Sequence, residues 1–566
     1  MEHMVDRRTF VKGSAAVVAG TVATQAGIAL ASNDSLISVD NVAEHKWTFE
    51  VPPAPIANDQ IAEVIEADIL IIGAGFSGLV TAASASEAGA KVTVVTASDD
   101  IVIRGGSMNA RGSVLMDKAA ETLRMADDAE FMREQLACAG YNVDQKKWWK
   151  FINKSPEAMN WLIEMMETAG FITVLERGFE MCGDDLFSST PGSHSWVEDE
   201  SGSAGKGSQA NVVPVVYQKA VDNGTEFIWS TPVRQLVRED NNTGRVSAAI
   251  AQRADGSYIK INARKIVLAT GDFSRDHDMM AKYCPEFLPL LDDITEPDYN
   301  VGFKFNGLMP GDGQKMGLWI GAAWQRVNPN PPMVLAVGTA GPVNQPCGNH
   351  RGLLMNINGE RYCNEDTTGV FGNMAQMHQP EMKSCCIWGS NYAEGAAPWI
   401  IQGSKIEDGP ADPASMLKSW KDGIVAPVFS DVVQADTIEE VIDLLGMPKE
   451  QTLATIARYN ELCEKGVDED FGKKAVHMVP ILEPPFFGSI GQKPWLLCVG
   501  GGLRTDSMMR VCDENDKPID DLFNVGVMVG DYFANIYNFL IEGNCLGACC
   551  LTFGYLTGRA LAAGEL

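Results

Sequence analysis

The sequence has few positive charges for its length. Its 566 residues include 45 lysines and arginines against 74 aspartates and glutamates, which gives a formal net charge of −29. No basic block occurs beyond the N-terminus, and neutralising a nucleic-acid backbone requires clustered basic side chains, so nucleic acid is excluded as a partner. The acidic surface is typical of a soluble protein; docking to a basic patch on another protein is the alternative.

The cysteines lack the spacings that bind haem or a metal. There are thirteen of them, with no CxxC and no CxxCH, so covalent c-type haem is excluded. A disulfide framework is not implied for a chain of this length. Cys545, Cys549 and Cys550 lie close together on a predicted helix, but an iron–sulfur cluster needs four thiolates at compatible spacing. We therefore predict buried thiols and no metal site, with a cluster as the alternative.

Long apolar runs are also missing after residue 31. Before it, the stretch Asp6-Arg7-Arg8-Thr9-Phe10 precedes a mildly apolar segment, and Ala29-Leu30-Ala31 offers a small-x-small cleavage site. Residues 1–31 are therefore predicted to be a twin-arginine signal peptide. A membrane anchor is disfavoured because the segment is short and rich in small residues. We expect export to the periplasm or to the outer face of the cytoplasmic membrane.

A glycine motif follows the proline-bearing lead-in segment, residues 32–62. The apolar residues 67–72 precede Gly73-Ala74-Gly75-Phe76-Ser77-Gly78, and an alanine-rich stretch follows. This pattern predicts a strand, a tight turn and a helix whose N-terminus faces a dinucleotide pyrophosphate. The next strand, residues 91–96, ends in Thr96, where such sites usually carry an acidic residue that holds the ribose. Asp99 and Asp100 lie just beyond it.

Further motifs extend this domain along the chain. Residues 104–113 form a glycine-rich loop suited to wrap around the phosphate and ring of a flavin. Residues 144–169 predict helical segments, broken before Pro156, with an apolar core stripe. Segments near 265–274 and 521–531 predict strands, and residues 311–323 predict a helix. Because strands at both ends of the chain belong to one predicted domain, the middle is predicted to be an inserted cap.

These motifs together resemble the flavoprotein family of fumarate reductases and succinate dehydrogenases, with the related urocanate reductases and 3-ketosteroid dehydrogenases. The segments that carry the resemblance are Gly73–Gly78, Gly105–Ser113, Ala269–Phe273, Gly311–Gly313, Asn358–Glu365, Gly501–Leu503, Gly530–Asp531, Gly543–Asn544, and in the cap Ala435–Glu440, Arg458–Asn460 and Asp468–Gly472. The resemblance implies an α/β fold, a Rossmann-like FAD-binding domain with an inserted α+β cap that clamps the substrate. The predicted boundaries are 63–325 and 489–566 for the FAD-binding domain and 326–488 for the cap.

FAD is the implied cofactor, and the family motifs assign residues to it. Asp531 falls where the family has an acidic residue near the flavin ribityl or ribose, and Asn544 opens a helix that points at the flavin pyrimidine. The full predicted set is Gly73, Gly75, Phe76, Ser77, Gly78, Thr96, Arg104, Gly105, Gly106, Ser107, Ala110, Gly112, Ser113, Val233, Ala269, Thr270, Gly271, Asp312, Asp531, Asn544, Cys545 and Leu546.

The sequence departs from the fumarate reductases at their substrate-binding positions. Gly369 stands where those enzymes have a proton-donating arginine. Cys498 and Leu540 fall near positions of a family histidine and arginine, and no histidine occurs in residues 327–332. Carboxylates are recognised by paired, charge-assisted hydrogen bonds. The departures therefore argue against a small dicarboxylate substrate.

Tyrosines near the C-terminus resemble the ketosteroid dehydrogenase branch instead. A tyrosine hydroxyl can donate a hydrogen bond to a carbonyl that becomes enolate-like during hydride transfer. Tyr537 is the first candidate and Tyr532 the second, each with a buried structural tyrosine as the alternative. Arg361 is either a proton relay in the cap or a surface ion pair. His194 borders the site or is an ordinary core or exposed histidine.

The predicted function is hydride exchange between flavin N5 and an activated C=C bond of a neutral enone, steroid-like or polyphenol-like, in the direction of reduction. The electron donor is expected to be a separate cytochrome or quinol-linked protein, with a membrane-associated partner possible. Two alternatives stay open: reduction of an unsaturated carboxylic acid of the fumarate or urocanate type, and a 3-ketosteroid-type dehydrogenase. A non-catalytic electron carrier is a third reading.

Overall fold

The computed structural model describes residues 47–566 with internal gaps. The gaps are residue 124, 177–191, 203, 205–207, 293–298, 301–304, 336–351, 367–368, 397–404, 410–411, 423–431, 492 and 538–541. The predicted signal peptide, part of the lead-in segment and Leu540 therefore lie outside the described residues.

A largely parallel sheet organises the chain from Phe49 to Leu566. Its strands are β1 (Ile61–Ile72), β2 (Val92–Val95), β6 (Glu226–Ile228), β7 (Val233–Arg238), β8 (Val246–Gln252), β9 (Tyr258–Leu268), β16 (Arg510–Cys512) and β17 (Pro518–Asn524). The parallel strands run in the order β6-β2-β1-β9-β17, which is 3-2-1-4-5 in chain order, as in a Rossmann fold. β17 joins β9, so both ends of the chain share one sheet. The antiparallel β7–β8 hairpin joins through β8 to β9.

Seven α-helices longer than four residues precede residue 326 in the part of the chain that the structure describes. They are α1 (Phe76–Glu87), α2 (Val114–Ala119), α3 (Asp128–Cys138), α4 (Gln145–Thr168), α5 (Ser208–Asp222), α6 (His277–Tyr283) and α7 (Asp312–Trp319). α7 ends four residues before the predicted Ala323. Three short strands, β3 (Met108–Asn109), β4 (Ile172–Leu175) and β5 (Ser193–Val197), form a separate antiparallel sheet.

Helix α4 corrects one prediction, since it runs unbroken through Pro156 for 24 residues. Proline removes one backbone hydrogen bond and normally kinks or ends a helix. Here the buried face with Trp148, Phe151 and Met159 packs into the main core, and the Ser155 hydroxyl accepts the backbone N–H of Arg111 at 2.8 Å. Tertiary packing therefore outweighs the local signal. The predicted core stripe is confirmed for Trp148, Phe151, Ile152, Met159 and Leu162, which are buried, whereas Trp149 is exposed.

A second, antiparallel sheet forms the cap. Its order is β11-β12-β14-β13, with strands β11 (Leu354–Met355), β12 (Cys385–Gly389), β13 (Val433–Ala435) and β14 (Phe486–Ile490). The helices near it are α8 (Gly369–Met377), α9 (Tyr392–Ala396), α10 (Pro413–Lys421), α11 (Ile438–Leu445) and α12 (Lys449–Lys465). The pair β10 (Pro332–Leu335) and β15 (Trp495–Val499) is antiparallel. The exact domain boundaries stay a prediction.

The chain ends in one continuous helical stretch. A π-helical segment, Leu546–Thr552, leads into α13 (Phe553–Ala563). In the part of the chain that the structure describes, Leu546–Ala563 is the one stretch long and apolar enough to cross a membrane, and 67% of it is buried. It packs against α1, so it is a core helix of the domain built on the large sheet.

Candidate functional site

A cavity of about 700 Å³ opens where the parallel strands end. Its walls include parts of the chain that are distant in sequence, among them the β1–α1 turn, the loop after β2, the end of β9, strand β15 and the start of the C-terminal helix. In open α/β sheets, ligands bind beyond the carboxyl ends of the strands. The cavity lies at that position, and its volume is in the range of cofactor sites.

The β1–α1 turn has the geometry of a phosphate cradle. Gly75 precedes helix α1 and provides no side-chain cap, so the first N–H groups of the helix lack a capping side chain. A Cβ on Gly75 would meet nothing within 4 Å, whereas a Cβ on Gly78 would lie 2.1 Å from the Gly73 carbonyl oxygen. Gly78 therefore serves helix–strand packing, and Gly75 leaves the backbone open to a ligand. An anionic pyrophosphate fits this arrangement.

The predicted departure at the end of β2 is visible in the cavity wall. Thr96 and Ser98 both line the cavity, and their hydroxyls are 2.8 Å apart. Asp99 and Asp100 do not line it. Two hydroxyls thus occupy the place where a carboxylate usually holds the ribose.

Arg104 brings a positive charge to the cavity wall. Its Nη2 donates to the Leu497 carbonyl oxygen at 3.2 Å, while its Nε is buried without a hydrogen-bond partner among the described residues. Burial lowers the pKa of the guanidinium, and the charge of Asp272 partly restores it. Because a buried donor without a partner is costly, this nitrogen favours an acceptor supplied by a ligand.

Tyr537 and three thiols form another part of the cavity wall. Tyr537, Cys498, Cys545 and Cys550 all line it. The backbone N–H of Cys545 donates to the Tyr537 hydroxyl oxygen at 3.0 Å. Burial raises the pKa of Tyr537 well above its ordinary value, and this N–H acts in the opposite direction. The tyrosine is therefore a neutral hydroxyl whose oxygen already accepts one hydrogen bond.

The structure brings most predicted cofactor residues together. Those that line the cavity are Gly73, Gly75, Phe76, Ser77, Thr96, Arg104, Gly105, Gly106, Ser107, Val233, Ala269, Thr270, Gly271, Asp312, Cys545 and Leu546. Those outside its wall are Gly78, Ala110, Gly112, Ser113, Asp531 and Asn544. Asn544 is buried beside Tyr532. Ala110 and Gly112 instead contact neighbouring backbone and Pro156.

Asp531 lies outside the cavity wall, and its predicted place near the flavin stays a prediction. Its Oδ1 accepts the backbone N–H groups of Arg326 at 2.7 Å and Val327 at 3.1 Å. Asp531 also has a φ of 61°, a backbone conformation that tolerates aspartate better than most side chains. The carboxylate therefore fixes the turn after β17 to the segment that begins at residue 326.

Tyr532 does not reach the cavity either. Its ring stacks on Trp148 at a centroid distance of 4.5 Å and an angle of 8°, and the Trp148 indole N–H donates to the Tyr532 carbonyl oxygen. The side chain is fully buried in the main core. Of the two tyrosine candidates, only Tyr537 lines the cavity.

Arg361 lies in the cap in a buried ion cluster. Its guanidinium donates to Glu365 at 2.8 and 2.9 Å and to Asp468 at 2.7 and 3.0 Å, and only 6% of its side chain is exposed. Lys473 completes the cluster, 3.5 Å from Glu365. Of the two predicted alternatives, the ion pair is present, but it is buried and not at the surface. The Arg361 side chain does not line the cavity.

His194 is a core histidine. Its Nε2 lies 2.8 Å from the Ser113 hydroxyl and its Nδ1 lies 2.9 Å from the Gly192 carbonyl oxygen. Burial lowers its pKa to about 4, so the ring is neutral near pH 7. Neutral His194 then donates to Gly192 and accepts from Ser113, which also caps helix α2 through the Met116 N–H. Ser113 therefore serves this local network.

Several lining residues carried no local signal in the sequence. They are Tyr299, Met309, Met316, Met333, Leu497, Val527, Glu542 and Cys550. Most are apolar and come from segments that meet only in the fold, so neither spacing nor residue type singles them out. Tyr299 differs in that it contacts a predicted cofactor-binding residue: its hydroxyl donates to Asp312 at 2.8 Å. In the described residues no group of His, Cys, Asp or Glu has the arrangement of a metal site.

Known proteins are similar to this chain in sequence and in fold. A vinyl phenol reductase of Lactiplantibacillus plantarum is 23% identical over 522 residues, which cover 87% of this chain and 94% of that protein. A probable fumarate reductase of Shewanella frigidimarina is 24% identical over 549 residues, which cover 92% and 82%. The solved structure of a 3-ketosteroid-delta4-(5alpha)-dehydrogenase from Rhodococcus jostii matches with a TM-score of 0.66 at 21% identity, and the match covers 90% of this chain and 99% of that one.

The family follows from a match that spans most of the chain. The model of the FAD binding domain matches residues 68–539, which include the β1–α1 turn, the cap and Tyr537. The resemblance seen in the sequence and the Rossmann-like fold are thereby confirmed. The protein belongs to the FAD binding domain family, and FAD is its cofactor.

Proposed function

We propose that this protein is an exported FAD-dependent oxidoreductase that reduces an activated C=C bond of a neutral, partly apolar enone, steroid-like or polyphenol-like. The coarser activity, oxidoreduction of C=C bonds with FAD, is the one named for its relatives, which include fumarate, vinyl phenol and urocanate reductases and 3-oxosteroid dehydrogenases. One observation carries the finer proposal. A single cavity joins the phosphate cradle to the Tyr537 hydroxyl through a mainly apolar wall.

The charges in the wall support a neutral substrate. Arg104 is the one cationic side chain among the described residues that line the cavity, against the acidic Asp312 and Glu542. A small dicarboxylate needs cationic partners for both ends. Cys498, which stands near the place of a family histidine, is a buried thiol whose pKa is raised by burial, so it is neutral.

Tyr537 is positioned to polarise a substrate carbonyl. Bound FAD supplies hydride transfer through flavin N5. As hydride reaches the β-carbon of an enone, its carbonyl oxygen gains negative charge, and a donor already in place stabilises that charge. The Cys545 N–H that points at the tyrosine oxygen makes the hydroxyl a stronger donor, since it stabilises negative charge there.

The decisive experiment follows reoxidation of the anaerobically reduced holoprotein in stopped flow. A bulky enone, a vinyl phenol, urocanate and fumarate are offered separately. Fast reoxidation by the enone supports the proposal. Fast reoxidation by fumarate or urocanate contradicts a neutral substrate. Reoxidation by none of the four supports an electron carrier instead.

The unpartnered Nε of Arg104 favours a second candidate, reduction of an unsaturated monocarboxylic acid. One carboxylate could accept from this side chain without a second cation. The variant Arg104→Gln separates the two cases. Loss of acid-driven reoxidation with enone turnover retained supports the acid, and equal effects on both substrates argue against it.

Export and an external electron donor complete the proposal. They rest on the Arg7-Arg8 pair and on the cytochrome-linked fumarate reductases among the relatives. The donor would be a cytochrome or a quinol-linked protein at the membrane surface. Replacing Arg7 and Arg8 with lysine is expected to abolish export of the full chain, as followed by cell fractionation. Unchanged export would contradict the twin-arginine route.

A further inference from the structure

Three thiols gather on one short segment beside the FAD site. Cys545, Cys549 and Cys550 are all buried and all free. Cys549 and Cys550 follow Cys545 by four and five residues on one helical stretch. Cys545 and Cys550 line the cavity, whereas Cys549 does not. The proposed enone reduction uses none of these sulfur atoms.

The unusual helix in this segment aligns two of the three. Leu546–Thr552 is a π-helix, in which residues five apart lie one turn above each other. Cys545 and Cys550 are five apart, so both reach the cavity wall. The segment is held close to β3, because a Cβ on Gly547 would lie 1.7 Å from the Asn109 carbonyl oxygen. Single turns of π-helix occur frequently at functional sites.

The pKa values of the Cys545 and Cys550 thiols are shifted in opposite directions. Hydrogen bonds from Cys549 and Cys550 lower the pKa of Cys545 despite its burial. The hydrogen bond to Cys545, together with burial, raises the pKa of Cys550. Thiol–disulfide chemistry requires one thiolate as nucleophile, and a second thiol to resolve it. The arrangement supplies both.

We infer that Cys545 and Cys550 are a redox-active pair that exchanges two electrons with the FAD of this cavity. When the pair is oxidised, two S–H bonds break, one S–S bond forms, and two electrons and two protons pass to FAD, giving FADH₂. The reverse step opens the disulfide and restores FAD. The inference rests on FAD binding in this cavity and is independent of which substrate the enzyme reduces.

The test is an anaerobic dithionite titration of the oxidised holoprotein, followed by flavin absorbance. Wild type is expected to take up four electrons per FAD, two for the flavin and two for the disulfide. Cys545→Ser and Cys550→Ser are expected to take up two. Cys512→Ser, a buried cysteine outside the cavity, is the matched control and keeps four. Uptake of two electrons by wild type would overturn the inference.

Thiol mapping gives an answer that needs no variant. Alkylation of the denatured protein before and after reduction, read by mass spectrometry, is expected to show residues 545 and 550 joined only in the oxidised sample. A disulfide from Cys545 to Cys549 or Cys498 would overturn the pairing, and free thiols in every state would overturn the redox role. Flavin content is measured on each sample, so a failure to bind FAD is recognised separately.

Discussion

Two polar groups of the FAD cavity lack side-chain partners, whereas the charged groups in the ion cluster of the cap have them. The cavity is built largely from backbone and small residues, and it leaves the α1 N-terminus and the Arg104 Nε without side-chain partners. The cap cluster pairs Arg361 with two carboxylates at 2.7–3.0 Å. We interpret the polar groups without side-chain partners as ligand-binding groups. The paired charges of the cap cluster instead stabilise the cap. The predictions below test this division.

Breaking the cap cluster should have the largest effect. Arg361→Met leaves Glu365 and Asp468 buried without their main cation, and removing one partner of a buried pair costs about 3–5 kcal/mol. Chemical unfolding should show this loss, while the absorbance of bound FAD stays unchanged.

Arg458→Met is the matched control for that variant. Arg458 forms a more exposed ion network with Asp470 and Glu461, so its loss should lower stability much less than the loss of Arg361. Equal losses for the two arginines would contradict a special role of the buried cluster.

Substitutions at Gly75 and Gly78 should affect different properties, FAD affinity and apoprotein stability respectively. Gly78→Ala forces a Cβ against the Gly73 carbonyl, and such overpacking costs about 1–3 kcal/mol, which unfolding of the apoprotein should show. Gly75→Ala has open space in the protein and should leave apoprotein stability nearly unchanged, while FAD affinity measured by flavin fluorescence falls.

Gly409→Ala, also in open space but away from the cavity, should change neither property. If Gly75→Ala lowered apoprotein stability as much as Gly78→Ala, the assignment of Gly75 to the ligand would be wrong.

The FAD cavity was predicted from the sequence far better than the ion cluster of the cap. Glycine spacing, strand pattern and the Thr96 departure are local signals, and the structure places Gly73, Gly75 and Thr96 in the cavity wall. Arg361 was recognised, but its partner Asp468 is 107 residues away, so its burial could not be read locally. Pro156 misleads for a related reason, since distant packing partners keep helix α4 continuous there.

Tyr537→Phe tests the proposed catalytic role of the hydroxyl in the FAD cavity. Removing one donor to a developing oxyanion lowers kcat by about 100- to 1,000-fold. FAD binding should stay unchanged, because the backbone around the cradle is not altered. Single-turnover reoxidation by the enone measures the effect.

Tyr532→Phe, in the core but outside the cavity, is the control and should keep the wild-type rate constant. A small effect of Tyr537→Phe on reoxidation would remove the hydroxyl from the mechanism.

The smallest effect concerns acid stability of the cap. Burial opposes ionisation of Asp468, but hydrogen bonds from Arg361 and the Lys473 backbone lower its pKa to about 2. A carboxyl with a lowered pKa stabilises the fold fully above its unfolded value of about 3.9 and loses that contribution as the pH falls through the folded value. The stability gap between wild type and Asp468→Asn should therefore be constant near neutrality and shrink below about pH 4. Unfolding midpoints at several pH values measure it, and a gap that widened in acid would mean that Asp468 is not the ionised partner of Arg361.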